Sequence, residues 1–137
     1  MKIFFDTNVY VAEALIGKGA ERMVNATRRA RWRIFTNQHV LDEVFHVLVD
    51  DLGFSKRLAA LCQRRILRRS MLVEGHSKAR VPDDPKDSPI LRSALACAAD
   101  YLVTNDRHLL SLDPFESLRI ISMKAYLQLI KELALRE

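Results

Sequence analysis

The first apolar segment of the chain constrains its fold more than any other stretch. Ile3, Phe4 and Phe5 form an uninterrupted run of large apolar residues, which is typical of a strand that is buried on both faces. The run stops at Asp6, and residues with helical spacing follow it. A buried strand that leads directly into a helix predicts an α/β fold. In open α/β sheets, ligands bind beyond the carboxyl ends of the strands, where Asp6 is expected to lie.

Asp6 by itself does not establish a functional site. An acid between a strand and a helix can cap the helix by accepting a backbone N–H, and Thr7 or Asn8 could cap the same helix. A catalytic interpretation of Asp6 therefore requires other acids to reach the same edge of the sheet.

Length and composition indicate an ordinary globular protein. The 137 residues predict one domain, residues 1–137, with a core of its own. No segment approaches the roughly 20 apolar residues of a membrane span, and the N-terminus does not resemble a signal peptide. We therefore expect a cytoplasmic protein with no membrane association. The two cysteines and four histidines have neither CxxC nor HExxH spacing, so a disulfide framework or a zinc site is not indicated.

Positive charge is concentrated in the first half of the chain. Residues 18–80 contain 14 Lys or Arg and six acids, within a net charge of +5. Like charges one helical turn apart repel each other unless an anion is near, so the arginines predict a phosphate-binding surface with Trp32 as a stacking platform. A solvated basic face or an acidic protein partner is equally compatible. The arginines are Arg28, Arg29, Arg31, Arg64, Arg65, Arg68 and Arg69.

Periodicity and capping residues predict the remaining elements. Strands are predicted at residues 33–36, 71–74, 101–104 and 119–122, and helices at 9–15, 20–30, 38–52, 55–70, 90–99, 107–111 and 123–135. Residues 75–85 lack periodicity and are predicted to form a loop.

Four acids are expected to converge at one edge of this sheet. The two most apolar strands end next to Asp6 and Asp106, and strands of that kind lie side by side in the middle of a doubly wound sheet. Glu43 lies in the second turn of a helix, so its side chain leans back toward the same edge. Asp87 opens the helix before the second of these strands. Helix capping does not explain a convergence of four acids.

Clustered carboxylates repel each other unless a cation lies between them. A site that contains only oxygen ligands favours a hard ion, Mg²⁺ or Mn²⁺, which also binds substrate phosphates. The chemistry that such a site supports is phosphodiester hydrolysis, and the basic surface would hold the rest of the polyanion.

Four motifs, in order, resemble those of the PIN-domain ribonucleases, and most closely those of the toxins of prokaryotic toxin–antitoxin pairs. The motifs are Phe5-Asp6-Thr7-Asn8, Val40-Leu41-Asp42-Glu43-Val44, Asp84-Pro85-Lys86-Asp87 and Ala99-Asp100-Tyr101-Leu102-Val103-Thr104-Asn105-Asp106. Asn105 stands where the family commonly has Gly, and His108 stands where many members have another acid.

The resemblance implies a doubly wound, mostly parallel sheet of about five strands with helices on both faces. It implies an endoribonuclease that depends on Mg²⁺ or Mn²⁺, an RNA substrate, a small antitoxin protein as inhibitor, and a homodimer. The matching acids are Asp6, Glu43, Asp87 and Asp106, supported by Asn8 and Thr104, and Asp84 is the alternative to Asp87 as third ligand.

Two other functions are less consistent with the sequence, the first because all four acids are present. A catalytically inactive RNA- or protein-binding module of the same fold would keep only the basic surface. A phosphoacceptor receiver domain has a similar size, but it requires an acidic pair after the first strand and an acceptor Asp after the third, and this sequence has neither.

Overall fold

The computed structural model describes residues 1–15, 18–74 and 88–136. Within them, five parallel strands form one sheet: β1 (Lys2–Phe5), β2 (Arg33–Thr36), β3 (Met71–Leu72), β4 (Tyr101–Val103) and β5 (Arg119–Ile121). The helices are α1 (Thr7–Leu15), α2 (Lys18–Arg29), α3 (Gln38–His46), α4 (Lys56–Arg69), α5 (Ser88–Ala96), α6 (Arg107–Leu110) and α7 (Met123–Arg136). The predicted α/β fold is confirmed.

The strand order β3-β2-β1-β4-β5 puts β1 at the centre of the sheet. The chain builds the sheet in one direction from β1 to β3 and in the other from β4 to β5, so strand order reverses between β1 and β4. These two strands pair directly, with Phe5 beside Val103, as their apolar runs predict. Phe4 and Phe5 point to opposite faces, and neither is exposed to solvent, so both faces of the sheet are covered.

Several predicted boundaries are corrected by local hydrogen bonding. The predicted helix 38–52 is α3 followed by a π-helical turn, Val47–Asp51, and Gly53 beyond it has φ 74°. Strand β3 has two residues, not four. Helix α5 ends earlier than predicted because Ala98 adopts a left-handed conformation, φ 55°. The predicted loop 75–85, with Asp84, lies outside the described residues, and so does Asp87.

None of the helices within residues 1–15, 18–74 and 88–136 combines the length and apolar character that a membrane crossing requires.

Candidate active site

Asp6 is a buried carboxylate at the carboxyl end of β1, with 5% of its surface exposed. One oxygen, Oδ1, accepts a hydrogen bond from the Thr7 backbone N–H at 2.7 Å, and Oδ2 accepts one from the Thr104 hydroxyl at 2.7 Å. A helix cap typically accepts from the second or third helical N–H, whereas Asp6 bonds only the first. Capping therefore does not account for the burial of this acid.

Burial raises the pKa of Asp6 above its ordinary value. The hydrogen bonds from Thr104 and Thr7 act in the opposite direction, because they favour the ionised form. The negative charges of Glu43 and Asp106 raise the pKa of Asp6 further.

Thr104 joins Asp6 to Asp106. Its hydroxyl, fully buried just after β4, donates to Asp6 and accepts from the Asp106 backbone N–H at 3.0 Å. Asp106 itself caps α6: its Oδ1 accepts from the N–H groups of His108 and Leu109 at 2.7 and 3.3 Å. The other carboxylate oxygen takes no part in the cap. Capping and a site role are thus compatible for Asp106, because each uses a different oxygen.

Glu43 approaches the edge from α3, and 44% of its side chain is exposed. Its Oε2 lies 3.1 Å from Nε2 of His39, one helical turn earlier, and the two form an ion pair when the imidazole is protonated. The third predicted ligand, Asp87 or its alternative Asp84, lies outside the described residues.

Unsatisfied polar groups also concentrate at this edge. Four buried side-chain atoms here have no hydrogen-bond partner among the described residues: Thr7 Oγ1, Asn8 Oδ1, Thr36 Oγ1 and His108 Nε2. Each belongs to the last residue of a strand or to the first turn of the helix after it. Native structures leave few such groups unpaired, because burying a polar atom without a partner is costly. Their concentration supports a ligand or metal site at this edge.

Apart from the imidazole nitrogens of His39 and His108, the donor atoms at this edge suit a hard cation. The carboxylates of Asp6 and Asp106, the Asn8 amide oxygen and the Thr104 hydroxyl offer only oxygen, which is the chemistry that Mg²⁺ and Mn²⁺ prefer. Within residues 1–15, 18–74 and 88–136, no group of three or more His, Cys, Asp or Glu side chains is close enough to hold a metal ion. A complete ligand set would need a further acid.

The arginines predicted to form one surface fall into two groups: Arg69 forms a buried ion pair, and the others are exposed. The guanidinium of Arg69 donates to both carboxylate oxygens of Glu13 at 2.8 and 2.6 Å, and the two side chains are only 5% and 4% exposed. Arg65 lies 3.6 Å from the same carboxylate. The expectation of a surface phosphate contact is corrected for Arg69, because its charge is committed to a buried ion pair between α4 and α1. No short-range sequence signal predicts the role of Glu13, which lies 56 positions before Arg69.

The other arginines remain on the surface. Arg28, Arg29, Arg31, Arg64 and Arg68 are exposed. Three of them line one cavity together with Arg33, which the predicted set did not include. The predicted stacking residue, Trp32, is half-buried against Tyr126, with ring centroids 6.4 Å apart.

A parallel sheet with buried and half-buried acids where strand order reverses defines an α/β protein with an acidic carboxyl edge, the place where open α/β sheets bind ligands. Residues 2–108 match the family model described as the PIN domain, and the chain belongs to that family. The resemblance seen in the four motifs is thereby confirmed.

The fold is similar to one seen in the crystal structure of VapBC2 from Rickettsia felis, bound to a DNA fragment from its promoter. The TM-score is 0.66 at 15% sequence identity, over 89% of this chain and 98% of that chain. No curated protein sequence matches this chain significantly.

Proposed function

We propose that this chain is a metal-dependent endoribonuclease and the toxin of a toxin–antitoxin pair, acting in the cytoplasm. The observation that carries the proposal is the buried carboxylate of Asp6, which the Thr104 hydroxyl links to Asp106 where strand order reverses. Membership of the PIN-domain family supports a nuclease, and the basic surface supports a polyanionic substrate.

Asp6, Asp106, Glu43 and either Asp87 or Asp84 would hold Mg²⁺ or Mn²⁺. When bound, the ion would make water more acidic and neutralise charge on the leaving oxygen. The chain's own residues divide the remaining work. Asp6 is fixed by two hydrogen bonds, which keeps its carboxylate in one orientation. Glu43 is half-exposed beside His39, and its Oε2 would accept a proton from the attacking water.

A small antitoxin and a second copy of this chain are the proposed protein partners. Similarity of fold to a chain of a VapBC2 complex supports an antitoxin. Metal-free, the proposed site is acidic, so an inhibitor would bring a cation into it; an Arg fits best, because its planar fork matches a carboxylate.

The test is cleavage of a total-RNA pool by the purified chain with Mg²⁺ or Mn²⁺, and again with excess chelator. We expect fragments only when the metal is present. The absence of a complete three-ligand group among the described residues favours one competing function, an inactive binding module. RNA that is bound but left intact with either metal would establish that function instead.

Thr104→Val tests the hydrogen bonds between the two acids. Valine has nearly the same shape but neither donates to Asp6 nor accepts from the Asp106 N–H. Because groups that orient metal ligands typically contribute 10–100-fold, we expect cleavage to fall by about that factor and the Mg²⁺ concentration for half-maximal cleavage to rise. Thr104→Ser keeps the hydroxyl and should keep most of the activity. Full activity in Thr104→Val, or a loss confined to Thr104→Ser, would show that packing of the methyl group, not the hydroxyl, matters.

A further inference from the structure

A cavity lined by arginines lies at the opposite edge of the sheet from Asp6. It has a volume of about 340 Å³ and is bounded by the end of α2, the start of β2, the end of α4 and the start of β3. Phe4 pairs with Phe35, so Asp6 lies level with Asn37, four residues along β2 from Arg33. Four residues of strand span about 13 Å. The cavity is therefore separate from the acidic edge.

The cavity holds positive charge that the described residues do not neutralise. Its lining includes Arg28, Arg31, Arg33 and Arg68 but no acid. Within the part of the chain that the structure describes, the side chains of Arg28, Arg31 and Arg68 make no hydrogen bond or ion pair. Arg33 donates to the Met71 sulfur, at 3.6 Å, and lies over the Phe35 ring, and neither of these described partners carries a negative charge. Four guanidinium groups around one cavity repel each other, and a bound anion would relieve that repulsion.

Arg31 ends α2 in the left-handed backbone conformation. Arg31 has φ 61°, and it closes α2 with bonds from its N–H to Arg28 and from the Trp32 N–H to Thr27. This is the helix-ending motif in which glycine is normally found at the left-handed position, because a side chain is disfavoured there. An arginine here is less favourable for folding than a glycine, which is consistent with selection for its guanidinium.

We propose that this cavity is a second RNA-contact site, which binds phosphates of a strand segment distant from the cleaved bond; this rests on the proposed ribonuclease function. Guanidinium groups bind phosphate oxygens bidentately, and Trp32 adds a fixed aromatic surface beside them. Proteins that bind single-stranded nucleic acid combine basic and aromatic side chains in this way. An RNA that reaches both edges gains affinity from the cavity. An RNA that covers only the acidic edge does not.

The test compares Arg31→Gly/Arg68→Gln with Arg22→Gln/Arg57→Gln. Each double variant loses two positive charges, one from α4 and one from α2 or the turn that follows α2. Arg22 and Arg57 do not line the cavity. Arg31→Gly suits the left-handed backbone, so it should not harm folding. Binding is measured in an Asp6→Asn background without metal, using fluorescent oligoadenylates of about 20 and about 4 nucleotides. Single-strand binding folds cover about 4–16 nucleotides, so the longer RNA exceeds this range and the shorter one is at its lower limit.

For the long RNA, we expect the cavity variant to reduce the slope of log affinity against log salt by about 1.4, or 0.7 for each lost phosphate contact. The short RNA and the control variant should show little change. In the active protein, KM for the long RNA should rise while kcat is retained. Equal effects of both double variants, or an unchanged slope, would overturn the proposal. Stronger Arg31-dependent binding of polyglutamate than of RNA would overturn it in favour of an acidic peptide. Because binding is measured without cleavage, a protein that cleaves nothing would refute only the proposed function.

Discussion

Asp6→Asn is expected to reduce RNA cleavage by about 10²–10⁴-fold, the range typical for loss of one group from a catalytic site. The substitution removes a ligand charge but can preserve the local hydrogen bonds. The Asn oxygen can accept from the Thr7 N–H, and its amide can donate to the Thr104 hydroxyl, which has a second lone pair for the Asp106 N–H. The variant should therefore fold normally.

The same variant should be at least as stable as the wild type at neutral pH without metal. Burial raises the pKa of Asp6 in the fold, so its ionised form is less favourable there than in the unfolded chain. The destabilisation reaches its full size at pH values above the pKa of Asp6 in the folded protein. It disappears as pH falls to the pKa of Asp6 in the unfolded chain. Asn has no such loss, so the stability difference should be greatest at neutral pH and vanish in acid.

Asp42→Asn is the matched control for Asp6→Asn, since it removes an exposed acid beside Glu43. Cleavage rates and urea unfolding in chelator are measured for both variants. Retained cleavage by Asp6→Asn would remove Asp6 from the site, and marked unfolding of the metal-free variant would make Asp6 a structural cap.

Arg69→Ala is expected to lower the free energy of unfolding by about 3–5 kcal/mol, the typical cost of leaving a buried charge without its partner. Glu13, with only 4% of its side chain exposed, would keep the weaker contact with Arg65 at 3.6 Å. Urea denaturation should show a lower midpoint at an unchanged m-value.

The neighbouring Arg68 supplies the control for this prediction. Arg68→Ala removes the same charge from an exposed position on α4 and should change stability by no more than about 0.5 kcal/mol. Replacing both Arg69 and Glu13 by leucine should recover most of the loss, because no unpaired charge is then buried. Equal stability of the two alanine variants would contradict a structural role for the Glu13–Arg69 pair.

The sequence predicts the centre of the sheet well because the signal there is local and strong. The apolar runs before Asp6 and Thr104 indicate strands buried on both faces, and such strands are neighbours in a doubly wound sheet. The hydroxyl of Thr104 then links Asp6 to Asp106. Asp6, Thr104 and Asp106 therefore lie together because they follow the ends of two neighbouring strands, β1 and β4.

The arginines are harder to assign because consecutive residues on a helix face different surroundings. Arg68 and Arg69 are adjacent and both border the same cavity, yet the guanidinium of Arg68 is exposed whereas that of Arg69 is buried in an ion pair with Glu13 of α1. That difference depends on how α1, α4 and the sheet pack, which composition does not encode. For the same reason, the sequence treats residues 28–33 and 64–69 as two clusters, whereas folding brings members of both to one cavity.

Direct Mn²⁺ binding tests the central claim, that acids at the carboxyl edge of the sheet hold a catalytic metal. Mn²⁺ is titrated into wild type, Asp6→Asn, Asp106→Asn and Asp42→Asn, and free Mn²⁺ is followed by electron paramagnetic resonance. Wild type and Asp42→Asn should bind with equal affinity. Each of the other two variants should bind at least about tenfold more weakly, because each loses a charged ligand. Equal Mn²⁺ affinity in all four proteins, or no binding by the wild type, would contradict the claim.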